Sequence, residues 1–532
     1  MSKIANYLRS HIAGSVSTRA DWRASVSADA GILAATPELV VAPRVVSDIR
    51  KITRFAWQMA EKGHTIPVVT RGAGCGALGG AVGQGILLDT TALDTIFEYD
   101  GKSQRVRVQP GVPARSVAAA LSMHGAGVGP LTGQRGTVGG VIAAGAHGTL
   151  LSRATNPAEA IDQIEVVLAN GDVMQTERLS RRELSRRKGL PGFEGDIYRG
   201  VDAIITDNAA LIEQINPNDT SGYSGIARVK QPDGTFDLGP LFVGSEGTLG
   251  IIDELILKTE FFSFRRTMAA LVFRSSSEAQ AAIDDIDALQ PAQLSYLDAA
   301  IFEQLRRDGK KYAFYEEAAQ QFMPQAVLLV TLDDFNTRTR ARKQAKLEQL
   351  QSAGETIVTI AEDDGDEDVA AGFAALDQYR WPDAAHIGAP RLFEGFYVPP
   401  QRFEEFARAL VPLARALQLP LPLAGYPSLN LYGVYPRFSL RKVSDKQKIF
   451  KLYDELTKLL ALYDGHLVMS GGEGRLKTRF VRATQNPDLT ALYQQIKQLF
   501  DPHGILNPGT KTTLQARTIT AMLRNEYTVD WR

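Results

Sequence analysis

Arg71-Gly72-Ala73-Gly74-Cys75-Gly76-Ala77-Leu78-Gly79-Gly80 is the stretch on which the reading of this chain turns. Five of its ten residues lack a Cβ, so successive N–H groups can converge on an anion and a diphosphate can lie against the main chain. A tight surface turn is the plainer reading of any isolated G-x-G. Two features separate the stretch from a nicotinamide-binding loop. A strand, Ile86-Leu87-Leu88-Asp89, follows it, where a pyrophosphate-binding helix N-terminus would be needed. It also follows the second strand of a β-α-β opening rather than the first.

That opening is legible on the N-terminal side. Residues 1–37 read as a helical or irregular lead-in. Val40 and Val41 begin a short strand, Ser47 is an N-cap candidate, and Asp48 suits a first helical turn. Ile49, Ile52, Ala56 and Met59 recur at helical spacing, Gly63 is a C′ residue, and 66–70 read as a buried strand. Residues 105–108 alternate as a strand, 114–123 as a helix stopped by Gly125, and 164–169 as a strand ending at Asn170-Gly171. Residues 178–240 read as polar and irregular, with a basic cluster at Arg181, Arg182, Arg186, Arg187 and Lys188.

Two further glycine-rich stretches follow the first. One holds Gly129-Pro130-Leu131 and then Thr137-Val138-Gly139-Gly140-Val141-Ile142-Ala143-Ala144-Gly145-Ala146-His147-Gly148. Small residues at nearly every position imply something bulky against this backbone; close helix–strand packing accounts for one or two of them. The other is Leu241-Phe242-Val243-Gly244-Ser245-Glu246-Gly247-Thr248-Leu249-Gly250-Ile251-Ile252, read as apolar strands around a tight turn. A hairpin would explain that motif alone.

The composition narrows the classes. With 532 residues, 44% hydrophobic and 22% charged, the chain supports several domains and a large core. A net charge of −1, from 59 basic and 60 acidic residues, gives no nucleic-acid footprint. A single cysteine, Cys75, excludes an internal disulfide and leans toward a cytoplasmic setting. No run of 18 apolar residues appears, so no transmembrane segment is expected, while peripheral membrane contact stays open. Beyond about residue 262, strand-like runs at 268–273, 326–332 and 392–398 alternate with helical patterns at 277–289, 401–417 and 445–463, which reads as a second, α+β domain. The acidic run at 363–368 reads as a solvated loop.

The three glycine motifs in this order resemble the family of flavin-linked dehydrogenases and oxidases that includes glycolate oxidase and D-lactate dehydrogenase. Thr220-Ser221-Gly222-Tyr223 and Phe500-Asp501-Pro502-His503-Gly504-Ile505-Leu506-Asn507-Pro508-Gly509-Thr510-Lys511 resemble it too. The resemblance is closest over 38–262 and 495–512 and traceable through the rest. It implies an α+β chain with a two-lobed PCMH-type FAD-binding domain of the vanillyl-alcohol oxidase type over 38–262. It further implies an α+β cap over 263–480 and a C-terminal segment, 481–532, returning to the flavin domain. Arg71, Gly72, Ala73, Gly74, Cys75 and Gly76 would hold the FAD diphosphate. Pro130, Leu131, Thr137, Gly139, Gly140, Ala143, Gly145, His147, Glu246, Gly247, Gly250, Ile251 and Ile252 would line the ribityl chain and isoalloxazine, with Asn507 near the ring. Cys75 stands where some relatives carry a flavin-linked histidine and closer ones Thr or Ser, so non-covalent FAD is expected. The His147-Gly148 pair is closer to the sugar-alcohol and aldonolactone oxidases, and a structural histidine fits it as well.

On the substrate side, Arg380 resembles the arginine that holds a carboxylate in the hydroxy-acid group. Glu394 falls on an acidic family position whose following aspartate is here Gly395. The histidines that bind a divalent ion in those relatives are replaced by Tyr426 and Tyr432, and no histidine adjoins Glu473. Tyrosine is a poor ligand beside imidazole, so no metal is expected. Arg380, Tyr426, Tyr432 and Glu473 are therefore the candidate catalytic residues, with Asn430 and Arg475 near them; core packing accounts for the tyrosines equally well. The implied chemistry is oxidation of a CH–OH group in a small hydroxy acid or polyol, with oxygen, a quinone or a protein as electron acceptor. A sugar-lactone or alditol oxidase, and a flavin protein with a non-catalytic, partner-binding cap, are the alternatives.

Overall fold

The central strands of the first sheet are apolar at successive positions because both of their faces are covered. Leu39–Ala42 and Val68–Arg71 flank Ile86–Asp89, and both pairings are parallel. Leu39, Val40, Val41, Ile86, Leu87 and Leu88 are all fully buried, as strands buried on both sides require. Ser15–Ser17 adds an antiparallel edge. The computed structural model describes residues 2–149, 156–216, 219–263, 265–352, 354–362, 367–382, 386–467, 470–512 and 514–527. The chain divides into two compact units, one from 1–148, 154–260 and 468–524, the other chiefly Phe261–Leu467.

In the first unit the helix Val46–Glu61 packs Ile49, Ile52 and Ala56 against that sheet. Ser47 does not cap it. Val45 occupies the N-cap without a side-chain bond, and Asp48 instead turns back to accept N–H bonds from Ala13 (2.8 Å), Gly14 (2.9 Å) and Arg44 (3.0 Å). A fully buried carboxylate thereby ties the lead-in to the helix. The second lobe is a five-stranded antiparallel sheet in the order Ile96–Asp100, Arg105–Val108, Ile251–Lys258, Ile161–Val167, Val173–Gln175. Its core runs through Val106, Val108, Ile164, Val166, Leu255 and Leu257.

The expectation of irregular chain over 178–240 is overturned. Arg181–Lys188 and Phe193–Asp207 are helices, the first opened by a capping box between Ser180 and Glu183. The S-x-x-E signal and the Ile197, Val201, Ile205 spacing were both in the sequence, obscured by the density of charge. The flank of the third glycine motif also differs, since Gly239–Phe242 is a helical turn, not a strand.

The second unit is a seven-stranded antiparallel sheet ordered Thr356–Glu362, Thr267–Phe273, Ala326–Leu332, Gln293–Asp298, Leu423–Tyr426, Leu431–Val434, Phe393–Tyr397. Every residue of Thr267–Phe273 and Ala326–Leu332 is buried. One face packs against Phe302, Phe314 and Tyr315, and Ser276–Asp287 covers the strands from another direction with Ala279, Ile283 and Ile286. Part of the acidic run, 363–366, lies outside the described residues.

Replacing Asp48 by Ala removes the shared acceptor of three N–H groups. The unfolding free energy should fall by about 3 kcal/mol, read by chemical denaturation, while Ser47→Ala should leave it within about 0.5 kcal/mol.

Candidate active site

Four separated stretches of the first unit meet at the glycine loop. Gly74 has φ +72°, open to glycine at little cost, and a Cβ there would begin 2.3 Å from Arg71 Nη2. A Cβ on Gly72 would begin 2.2 Å from Thr137 Oγ1, which brings the second motif against the first. Thr137 also caps the short helix Val138–Ala143. The far end of that helix receives the third motif, because Gly244 N donates to Ile142 O (3.0 Å) and Glu246 N to Ala143 O (2.8 Å). A Cβ on Gly145 would meet Thr220 Cγ2 at 3.0 Å and Gly244 Cα at 3.3 Å.

The fourth stretch closes this arrangement. Arg475, 4% exposed, donates from Nη1 to Gly79 O (2.6 Å) and Thr510 Oγ1 (2.8 Å), and from Nη2 to Asn507 Oδ1 (2.9 Å) and Pro508 O (2.8 Å). Burial draws its pKa down to about 10, where it still carries its charge near neutral pH. Asn507, in the left-handed region at φ 42°, donates from Nδ2 to Gly80 O (2.8 Å) and Glu246 O (2.7 Å). Asn507 thus binds the loop and the third motif together, with its amide committed to protein partners.

Glu473 is placed differently from its sequence expectation. It is fully buried, accepts the Gly222 N–H, and lies 3.3 Å from Lys511 Nζ. Burial opposes its charge, yet Lys511 and Arg482 hold its pKa below the usual carboxylate range. Through Oε1 the carboxylate clamps 219–223 to the C-terminal segment, while Oε2 is a buried atom with no hydrogen-bond partner among the described residues. Glu246 takes the Glu473 N–H (3.0 Å) and Gly474 N–H (3.0 Å), and burial raises its pKa. Asp29, a residue without a motif, supports the loop from below. It accepts from Gly31 N (2.8 Å) and Gly79 N (2.7 Å), and burial pushes it up to about 6.

The cradle suits the flavin dinucleotide on two counts. Arg71, buried at 5% exposure, puts positive charge beside Gly74 where a diphosphate would approach. Among the described residues, His147 Nδ1, Thr70 Oγ1 and Thr220 Oγ1 are buried polar atoms with no partner in the protein. Each adjoins this glycine cradle: Thr220 meets Gly145, Thr70 meets Gly247, and His147 follows Gly145 by two residues. Unpaired buried polar atoms are costly and point to a bound group. Cys75 Sγ lies 3.5 Å from Arg135 O.

In the second unit, Tyr432 is 2% exposed and stacks on Phe403 with ring centroids 4.4 Å apart. Arg380 and Tyr426 belong to a charged cluster. Arg380, on the helix Ala375–Arg380, donates to Ala389 O (3.1 Å) and Asp377 Oδ1 (2.7 Å), leaving its side chain 7% exposed. Arg391, which carries no motif, reaches Glu394 Oε2 at 3.2 Å and Asp377 Oδ1 at 3.6 Å. Glu394 stands at a bulge of the strand Phe393–Tyr397, where Gly395 has φ +82°. An L side chain in that conformation is strained, which suits the glycine found at 395. Burial, then the Glu394 charge, pushes Tyr426 up to about 12, so its phenol remains a donor. Among the described residues, no three His, Cys, Asp or Glu side chains gather as a metal site.

A carboxylate at position 74 would pair with Arg71 and oppose the diphosphate. Gly74→Asp should therefore purify folded and colourless, judged by circular dichroism and the flavin-to-protein absorbance ratio. Burial holds His147 near 4, below its ordinary 6.5, so the unfolded chain takes up that proton first. Stability of the flavin-free chain should accordingly be lost as pH falls from 6.5 toward 4, and His147→Asn should flatten that part of the pH profile, read from denaturation midpoints.

Residues 37–177 match the model of an FAD binding domain, and residues 264–510 that of the C-terminal domain of FAD linked oxidases. The chain is 25% identical to D-2-hydroxyglutarate dehydrogenase of Pseudomonas putida over 93% of its own length and 50% of that protein. It is 24% identical to glycolate oxidase subunit GlcD of Bacillus subtilis over 90% of each. It therefore spans about half the length of the hydroxyglutarate relatives. Its fold matches 4-ethylphenol oxidase from Gulosibacter chungangensis with a TM-score of 0.68 at 13% identity, covering 97% of this chain and 98% of that one. Alkyldihydroxyacetonephosphate synthase aligns at 0.63 and 12%, covering 96% and 84%. A glycine cradle shaped for a flavin dinucleotide, followed by the C-terminal domain of the FAD-linked oxidases, makes this chain a member of the FAD-linked oxidase and dehydrogenase family.

Proposed function

We propose that the chain oxidises the CH–OH group of a small hydroxy acid, using FAD held without a covalent bond in the first unit. The observation that carries the reading is the pairing of two chemistries in one chain: a side-chain-free cradle fringed by unpartnered buried polar atoms, and a separate cluster of arginines, carboxylates and a phenol. The first suits a flavin and the second suits an anionic, hydroxylated substrate. Residues 71–76, with Arg71, would hold the diphosphate. The backbone of 130–148 and 246–252, with His147, would border the ribityl chain and ring. FAD supplies the acceptor for the two electrons of the broken C–H bond. The protein's part is to hold the substrate, accept its hydroxyl proton and exclude water.

A polyol or sugar-lactone substrate is the second reading. It is favoured by His147-Gly148 and by the replacement of the metal-site histidines with Tyr426 and Tyr432. No helix among the described residues is long and apolar enough to cross a membrane. Oxygen, a quinone or a protein would reoxidise the reduced flavin.

Anaerobic addition of glycolate, D-lactate, D-2-hydroxyglutarate, xylitol and sorbitol to the yellow protein separates the readings. Bleaching by a hydroxy acid but not by either polyol is expected. Bleaching by polyols alone would transfer the assignment to the second reading. No bleaching by any compound would leave a flavin protein without this chemistry.

A further inference from the structure

We infer that the outer face of the helix Thr337–Glu348, with Phe335 at its head, docks the chain on an anionic lipid surface. This face is independent of the substrate reading above, and all of its residues belong to the second unit.

The helix reads TRTRARKQAKLE, five cations and one carboxylate in a chain whose net charge is −1. Its inner face is set by Leu347, fully buried, and by Arg340, whose Nη1 donates to Asp334 O (2.9 Å). Lys343, one turn on, pairs with Asp334 Oδ1 (2.8 Å). Arg338, Arg342 and Lys346 recur every four residues on the opposite face and are exposed. At a rise of 1.5 Å per residue the row spans about 12 Å. Among the described residues, no carboxylate lies within ion-pair distance of any of the three.

A helix face that only meets water is ordinarily laced with opposite charges, whose i,i+4 pairs stabilise it. Here both i,i+4 pairs along the row, Arg338–Arg342 and Arg342–Lys346, are like-charged. Arg338 also sets a cation in the first turn, where the helix dipole disfavours it. Local stability is given up to hold positive charge on one side. The acids at the head of the helix do not offset it, because Asp334 is engaged by Lys343 and Asp333 is half-buried and faced by Arg266. The register that sets Thr267 opposite Leu332 brings the exposed Arg265 to the same end.

Phe335 selects the class of partner. It is 67% exposed and directly precedes Asn336, the N-cap, whose side chain accepts the N–H groups of Arg338 (2.9 Å) and Thr339 (3.2 Å). The cap ties the loop that carries the ring to the helix that carries the row. An exposed aromatic ring beside cations on the convex side of a helix fits a bilayer boundary, where the ring enters the acyl edge and the cations meet headgroup phosphates. The basic cluster at 181–188 lacks this pairing. Arg187 is held by Glu177 and Glu194, Lys188 by Asp202, and no large apolar side chain of that helix stands exposed.

Co-sedimentation of the flavin-loaded full chain with vesicles tests the docking face. At low salt the chain should bind vesicles of phosphatidylcholine and phosphatidylglycerol, ignore vesicles of phosphatidylcholine alone, and be released as salt is added. Arg342→Ala and Lys346→Ala should each weaken binding about fivefold, and Phe335→Ser about tenfold. These side chains are exposed, so the variants should keep their flavin colour and melting midpoint. The triple variant Arg181→Ala, Arg182→Ala, Arg186→Ala should bind as the parent does. Equal binding to neutral vesicles, unchanged binding by Arg342→Ala or Phe335→Ser, or a comparable loss in the triple variant overturns the inference. Salt-sensitive binding to poly-L-glutamate without any binding to vesicles overturns it in favour of an acidic protein partner.

Discussion

The guanidinium of Arg475 is the contact on which the first unit depends. Its four bonds reach the carbonyl of Gly79 on one side and Thr510, Asn507 and Pro508 on the other. A loop made largely of glycine has no side chains with which to hold its own shape, and glycine loses the most conformational freedom on ordering. The order has to come from outside the loop. Arg475 provides it from about 400 residues further along the chain, and Asp29 provides it from some 45 residues before. Charged groups suit this task because a charge-assisted bond to a backbone carbonyl or N–H is short and directional.

The same logic explains the density of buried charge around the cradle. Arg71, Arg475, Lys511, Glu246, Glu473 and Asp29 are all buried in the first unit. Isolated burial of each would be prohibitive, and pairing alone rarely makes buried ions a net source of stability. Their value here is positional. Arg475 binds the Gly79 and Pro508 carbonyls, and Asp29, Glu246, Glu473 and Lys511 each bind backbone atoms of a segment distant from their own. Glu473 does so through one oxygen, which takes the Gly222 N–H and lies against Lys511.

The second unit solves a different problem. Its central strands are buried at every residue, which leaves the edge strand Phe393–Tyr397 as the place where polar groups can stand. The bulge at Gly395 sets Glu394 off the regular pleat, and the helix Ala375–Arg380 brings Asp377 to the Arg391 guanidinium. Rigid apolar strands thus carry a small charged cluster at their margin.

The glycine spacing, the β-α-β opening and the alternating elements after residue 262 were legible because local chemistry determines them: bare backbone, helical periodicity and apolar runs of strand length. The capping box at Ser180–Glu183 was equally local and was masked by the surrounding arginines. What the sequence could not decide was where each polar side chain is consumed. Asp48 reads as a helix-start residue yet gathers three N–H groups, Tyr432 reads as a pocket residue yet stacks on Phe403, and Arg391 carries no motif yet holds two carboxylates. Such assignments depend on partners far away in the chain, and the energy of a buried polar group depends on those partners rather than on its neighbours in sequence. The sequence by itself therefore determined a glycine-lined backbone suited to a flavin; only the tertiary structure decided which charges brace it and which gather at the margin of the second unit, because those pairings join residues far apart in the chain.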